Sequence, residues 1–185
     1  MKLYYSKGSC SLAVRILINE LNIDCEFEAV NLKTKITQSG QDFKTINPKG
    51  SVPTLELDSK EIITENPVIQ QYLADKYQGF HLLAPPPEIK RYKVLEWLNF
   101  ISSEVHKSLS PLFNPNIPNE VKEEYYKPVV IAKLEFLNEY FRHHEYLANN
   151  QFTMADSYLF VLILILEPFS SIDISRFLRS FISFS

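Results

Sequence analysis

Cysteine is nearly absent from this sequence. Cys10 and Cys25 are the two among 185 residues, too few for a disulfide framework and in keeping with a reducing compartment. Basic residues are not in excess either. Nineteen lysines and arginines stand against 22 acidic residues, a net charge of −3 with a pI near 5.8, so the electrostatic footprint of a nucleic-acid binder is missing. The one continuous apolar run, Tyr158 to Leu166, is far too short to span a bilayer and reads as a helix buried on all sides. Met1 is followed almost at once by strand-like residues, with no apolar stretch of the kind a signal peptide carries. Internal repeats and low-complexity tracts are also lacking. What is present is a 45% hydrophobic and 13% aromatic composition, ample for a packed core and incompatible with disorder. The length allows one domain or two small ones. The expectation is a soluble, cytoplasmic protein that binds neither nucleic acid nor membrane.

The first eleven residues carry the sharpest local signal. Leu3, Tyr4 and Tyr5 have the character of a short buried strand. Ser6, Lys7 and Gly8 break it as a turn, and Ser9 is a candidate N-cap for a helix with Leu12, Ala13, Ile16 and Leu17 on one face. Cys10 then falls in the first turn of a helix that starts right after a strand. Unpaired N–H groups and the helix dipole favour an anion there, so the expected thiol pKa is depressed. The alternative is a small core cysteine packing like alanine. Cys25 reads as core.

Farther along, the first helix runs from Cys10 to about Asn22 and a second strand covers Cys25 to Val30, a parallel pair joined by a crossover. Lys33 to Asp42 is a polar loop leading to a short helix near Asp42 to Ile46, and Asn47-Pro48-Lys49-Gly50 is a turn. Val52 to Leu57 and Ile62-Ile63 form a hairpin about Asp58-Ser59-Lys60-Glu61. A helix from Glu65 to Tyr77 follows, with Thr64 as candidate cap and Pro67 tolerated in the first turn. This α/β unit ends near Lys76, within a domain spanning 1–78. Residues 79–87 hold three consecutive prolines, which no helix or strand interior tolerates, and form the linker. Residues 88–185 read as all-helical. Val94, Leu98, Ile101, Val105, Leu109 and Leu112 share one face of a long helix from about Glu88 to Phe113. Asn114 to Pro118 breaks it, and Asn119 caps the next helix, in which Pro128 marks a kink or restart. Thr153 and Asp156 have the form of a capping box opening the apolar helix, and Phe152 is placed for a staple that Ser157 makes weak. Pro168 ends that helix, and a short one is expected around Ser175 to Phe184.

The stretches Y-Y-S-K-G-S-C-S-L, N-P-K-G-S-V-P-T-L, T-E-N-P-V-I-Q-Q-Y-L-A-D and F-T-M-A-D-S-Y-L-F together resemble the glutathione S-transferases, in detail their bacterial beta class. The resemblance implies an α/β thioredoxin-like domain (βαβαββα, a mixed four-stranded sheet) followed by an all-α domain. It implies a homodimer with glutathione as co-substrate, a small hydrophobic electrophile as second substrate, and no metal. Pro53 would be a cis proline, where residue chemistry alone favours trans. The backbone of Val52 would pair with the cysteinyl part of glutathione. Glu65 and Asn66 would hold its γ-glutamyl end, although a glutamate in a first turn more often just complements the dipole. Lys35 would reach the glycyl carboxylate, although a loop lysine is usually only solvated. The family usually has a small residue where Asn66 stands.

The long helix adds Asn99, Ser103, His106 and Lys107, which share an arc of about 100° at 3.6 residues per turn. Such a stripe is most often the wet side of a helix. By resemblance His106 and Lys107 face Cys10, while Asn99, Ser103 and Glu104 belong to the glutathione site. Tyr5 and Ser11 compete with Cys10, because other classes activate the glutathione sulfur with a hydroxyl in this region. A hydroxyl only donates a hydrogen bond, whereas a reactive cysteine exchanges with a disulfide. The resemblance thus implies Cys10 as the catalytic group, His106 as its partner, and Tyr5 and Ser11 behind them. Two departures stand out. Lys7 occupies a position where the family's turn often has proline. The Phe- and Ser-rich stretch from Ser170 to Ser185 stands where the resemblance implies further helices covering the electrophile pocket. Two other readings remain open: a non-catalytic binder of glutathione or hydrophobic ligands, and a structural or regulatory partner that keeps the fold without glutathione.

Overall fold

The structure, a computed structural model, describes residues 1–166. The chain divides into two compact units, the first covering Met1–Pro86 and the second beginning at Pro87.

In the first unit β1 (Lys2–Tyr5), α1 (Ser11–Glu20) and β2 (Glu26–Asn31) follow in the expected order. β1 and β2 pair in parallel, Leu3 opposite Phe27 and Tyr5 opposite Ala29, as a helical crossover between them requires. Then come β3 (Ile36–Thr37), α2 (Phe43–Ile46), β4 (Thr54–Glu56), β5 (Ile62–Thr64) and α3 (Asn66–Lys76). β4 runs antiparallel to β1 and β5 antiparallel to β4. The sheet is mixed and has five strands in the order β3-β2-β1-β4-β5, not the four expected. The additional strand is β3, whose Ile36 and Thr37 fold back on Asn31 and Val30. Two residues inside a polar stretch are too few to display a period of two, so the stretch reads as loop.

Glu28 secures that hairpin. Its carboxylate accepts from the Ser39 N–H at 3.2 Å, from the Ser39 hydroxyl and from Lys2 Nζ at 3.2 Å. Burial disfavours the charge, but the hydrogen bonds from Ser39, Thr37 and Lys2 outweigh it and hold the pKa down to about 2. The two longer helices α1 and α3 pack together and bury Ala13, Val14, Leu17, Ile18, Ile69, Leu73 and Ala74. Tyr4, Val30, Phe43 and Val52 form a second apolar cluster. Asp42 caps α2, accepting from the Lys44 N–H at 2.9 Å. The proline-rich segment is not a loose tether at its start. Leu82, Leu83 and Ala84 are buried, and a Cβ at Gly79 would stand 2.7 Å from Leu21 Cδ2, so this turn lies directly on the end of α1.

Every secondary-structure element among the second unit's described residues is helical. α4 (Ile89–Phe100), a π-helical turn (Ile101–His106), α5 (Lys107–Leu109) and a 3₁₀ turn (Ser110–Phe113) form one helical run. Its predicted apolar face, Val94, Leu98, Ile101, Val105, Leu109 and Leu112, is buried. The π-helical turn spaces residues more widely than 3.6 per turn, so the polar-stripe arithmetic does not hold across Ile101–His106. α6 (Asn119–Val121) starts after Pro118, which takes the cap position expected of Asn119. A second π-helical turn, Lys122–Tyr126, leads into α7 (Lys127–Phe141), with Pro128 in its first turn. Proline lacks the N–H and its ring collides with the carbonyl four residues back, so the widened turn is the physical form of the expected restart.

α8 (Met154–Leu166) is buried on nearly every side. Asp156 Oδ2 accepts from both the N–H and the hydroxyl of Thr153, each at 2.8 Å, and Oδ1 accepts from the Leu147 N–H at 2.8 Å. The carboxylate thus caps the helix and also pins the preceding loop. Burial pushes the Asp156 pKa up, with these three donors pulling against it. Phe152 stays exposed, in line with a weak staple. No helix among the described residues is long and apolar enough to cross a membrane. Pro168 and the short helix expected around Ser175 to Phe184 lie outside the described residues.

Candidate functional site

Cys10 itself, not Ser9, holds the cap position of α1, with helical backbone angles (φ −59°, ψ −13°) and no side-chain capping bond. Ser9 works one step earlier: its hydroxyl donates to the Ser6 carbonyl at 2.8 Å and accepts from the Ser11 N–H at 3.3 Å. Ser11 is fully buried. Its hydroxyl lies 2.7 Å from that of Ser9 and donates to the Ser6 carbonyl at 3.3 Å, so it is spent on knitting the turn. Tyr5 sits at the end of β1 with the Arg15 guanidinium 4.8 Å from its ring centroid, and the same guanidinium stacks on Phe27 at 5.0 Å. Cys10 and Cys25 are both free thiols.

The Cys10 thiol donates to the Val52 carbonyl at 3.7 Å. Burial pushes this thiol up to about 11. The Asn66 side-chain amide pulls it down by less, and the Glu65 carboxylate adds to the rise. The expected depression is therefore reversed. A helix terminus acts on a thiolate through partial charges, and here removal of solvent outweighs it.

The Val52–Pro53 bond is cis. The segment leading to it is tied from within. The Gly50 N–H donates to the Asn47 carbonyl at 2.8 Å, with Gly50 at φ +62°. Asn47 Nδ2 donates to the Ser51 carbonyl and the Thr54 hydroxyl, both at 2.9 Å. Lys35, itself at φ +59°, donates from Nζ to the Gly50 carbonyl at 2.8 Å. Glu65 rather than Thr64 caps α3, at φ +71° and ψ 122°, a conformation that costs about 1–3 kcal/mol for a residue with a side chain and tends to occur at functional sites. Its carboxylate pairs with Lys49 at 2.7 Å, and Lys49 also donates to the Thr64 hydroxyl at 3.0 Å. Asn66 is buried. Its Nδ2 donates to the Cys10 carbonyl at 2.7 Å and its Oδ1 accepts from Gln70 Nε2 at 2.6 Å. Cys10, Val52, Glu65 and Asn66 thus converge, and Lys35 reaches the same loop through Gly50. Both ends of the Asn66 amide are engaged within the protein, which leaves the residue's backbone N–H at the positive end of α3.

The second unit carries the remaining expected residues on its first helical run. The Asn99 carbonyl accepts from the Ser102 and Ser103 hydroxyls at 3.0 and 2.8 Å. Glu104 pairs with Lys133 at 2.7 Å, and Lys107 is exposed. His106 Nδ1 lies 2.7 Å from the hydroxyl of the buried Tyr158. Burial, with Lys107 nearby, pushes the His106 pKa down, which favours the neutral imidazole over the charged form. No group of three or more metal-ligating side chains is gathered among the described residues.

A family model for the glutathione S-transferase N-terminal domain matches residues 1–75. The glutathione S-transferase GstA of Escherichia coli O157:H7 is 43% identical over 167 residues, covering 88% of this chain and 81% of that protein. The chain belongs to the glutathione S-transferases. Among solved glutathione S-transferases, a bacterial beta-class enzyme from Sphingomonas chungbukensis superposes with a TM-score of 0.92 at 37% identity, over 98% of this chain and 90% of that one. A sphingomonad enzyme complexed with glutathione gives a TM-score of 0.92 at 37% identity, over 100% of this chain and 90% of that one. A ternary complex of BphK, a bacterial transferase, gives 0.91 at 42% identity, over 98% and 90%. The beta-class resemblance and the two-part fold therefore stand.

Four residues of this family member were not singled out from its sequence. Lys49 reads as a turn residue, yet it holds Glu65. Asn47 reads likewise, yet it is buried and ties the loop before Val52. Gln70 lies in a helix interior, where only the pairing of two buried amides four residues apart marks it. Tyr158 opens the apolar run, and a phenol in so dry a helix needs a partner for its hydroxyl, which His106 supplies.

Proposed function

We propose that this chain is a glutathione transferase that uses the Cys10 sulfur. Glutathione binds on the first unit, its cysteinyl backbone on Val52 beside Pro53 and its γ-glutamyl end at the start of α3. There the backbone N–H of Asn66 takes the carboxylate and the Glu65 carboxylate takes the ammonium group. Lys35 takes the glycyl carboxylate. The protein acts as a cytoplasmic homodimer on a small hydrophobic electrophile or a disulfide. The observation that carries this reading is the Cys10 thiol on the Val52 carbonyl at 3.7 Å, next to a strained Glu65 at φ +71°.

Disulfide exchange needs the thiolate, so a thiol raised to about 11 by burial exchanges slowly at neutral pH and faster as the pH rises. In that reaction Cys10 loses its proton and its sulfur attacks one sulfur of oxidised glutathione. The S–S bond of that disulfide breaks, a Cys10–glutathione disulfide forms, and the departing glutathione thiolate takes up a proton. The same raised thiol supports a second reading, glutathione binding without sulfur chemistry.

Intact-mass spectrometry after incubation with oxidised glutathione separates the two. One glutathionyl adduct on the wild type and none on Cys10→Ala is the expected result. No adduct on either folded protein overturns the cysteine chemistry, and retention on glutathione resin then selects binding alone.

A further inference from the structure

Buried amide groups in a line are costly unless each is satisfied, and a satisfied line has a fixed direction. Gln70 is fully buried and Asn66 nearly so. Gln70 Nε2 donates to Asn66 Oδ1 at 2.6 Å, and Asn66 Nδ2 donates to the Cys10 carbonyl at 2.7 Å. An asparagine amide alone can turn by 180° and exchange its donor for its acceptor. With Gln70 donating to the oxygen, the nitrogen is obliged to face Cys10. The same Cys10 carbonyl accepts from the Ala13 N–H at 3.1 Å, so the residue is held from α1 and α3 together.

We propose that Gln70 and Asn66 are positioning residues for the Cys10 sulfur: Gln70 fixes the orientation of the Asn66 amide, which anchors Cys10 and presents an N–H donor to its thiolate. This deepens the proposed function and rests on it for the role of Cys10. The Asn66 amide lowers the thiol's pKa against the rise that burial imposes, as a donor to the thiolate must. It also gives a use to an asparagine whose side chain is fully engaged inside the protein. Gln70 donates to the Asn66 amide oxygen and acts on Cys10 through it.

The test is the pH dependence of Cys10 alkylation by iodoacetamide, in a Cys25→Ala background so that one thiol is read. Gln70→Met keeps the length of the side chain and removes its donor, and Asn66→Ala removes the amide. Each variant is expected to move the profile to higher pH, with alkylation below the midpoint about tenfold slower, the loss of one hydrogen bond to a charged group. In the Asn66→Ala background, Gln70→Met is expected to add no further shift, because its effect on Cys10 passes through Asn66. Asn66→Ser, too short to span to Gln70, gives the same comparison where Asn66→Ala does not fold by circular dichroism. A Gln70→Met profile that overlays the wild type, or shifts that add in the double variant, overturns the inference. Failure of the transferase reading looks different: the wild type shows the profile and its displacement but forms no adduct with oxidised glutathione.

Discussion

The two units spend their buried polar groups differently. In the second unit, Asp156 meets Thr153 three residues away and Leu147 nine residues away, two bonds starting α8 and one pinning the loop before it. In the first unit, Asn66 reaches across 56 residues to Cys10, and the Cys10 thiol reaches 42 residues to Val52. One arrangement builds a helix from its neighbours. The other ties the starts of two helices to the segment before a strand, at a point where backbone groups remain for a ligand.

Disruption at the two places should therefore differ in kind. The largest loss of stability is expected from Asp156→Ala, which leaves two backbone N–H groups and a hydroxyl buried without their acceptor. About 3 kcal/mol or more should be lost in urea denaturation, and an effect under about 1 kcal/mol would show that water replaces the carboxylate.

Acid should act on the first unit at Glu28. Its folded pKa, about 2, lies below the ordinary 4.5. The unfolded chain therefore binds the proton first, and the stabilisation is complete above about pH 4.5 and lost as the pH falls towards 2. Thermal melts over that range should show a steeper decline for the wild type than for Glu28→Gln, and parallel curves would remove Glu28 as the cause. The smallest change in stability is expected from Lys49→Met. Its pair with Glu65 is exposed on both sides, with side-chain exposures of 57% and 60%, so stability should move by less than about 1 kcal/mol. Freed of its competitor, Glu65 should bind an ammonium group more readily, read as tighter glutathione binding by calorimetry. Unchanged or weaker binding would make Lys49 part of the binding surface.

Local chemistry made much of this legible. The strand–turn–helix at residues 1–20, the apolar face from Val94 to Leu112 and the pairing of Thr153 with Asp156 all depend on neighbours within a few residues, and all are present in the structure. β3 was not legible, because its pairing is supplied by β2 and by Glu28, not by its own pattern. The Cys10 thiol was misjudged for a related reason. A helix terminus is visible in sequence, while burial of the thiol depends on tertiary packing, which brings Val52 and Asn66 to Cys10. The π-helical turns escaped because period counting assumes a regular helix, although Pro128 marked where one of them falls.

The proline-rich boundary has a consequence for how this protein is cut. Leu82, Leu83 and Ala84 are shielded from water, and the turn at Gly79 rests against Leu21. A protease needs several extended, accessible residues on each side of the bond it cleaves, so the first half of this segment should resist nicking while the exposed residues after Pro85 yield first. A piece ending at residue 78 would strip the lid from Leu21 and shed a strip of its own apolar cover; one ending at residue 86 keeps both.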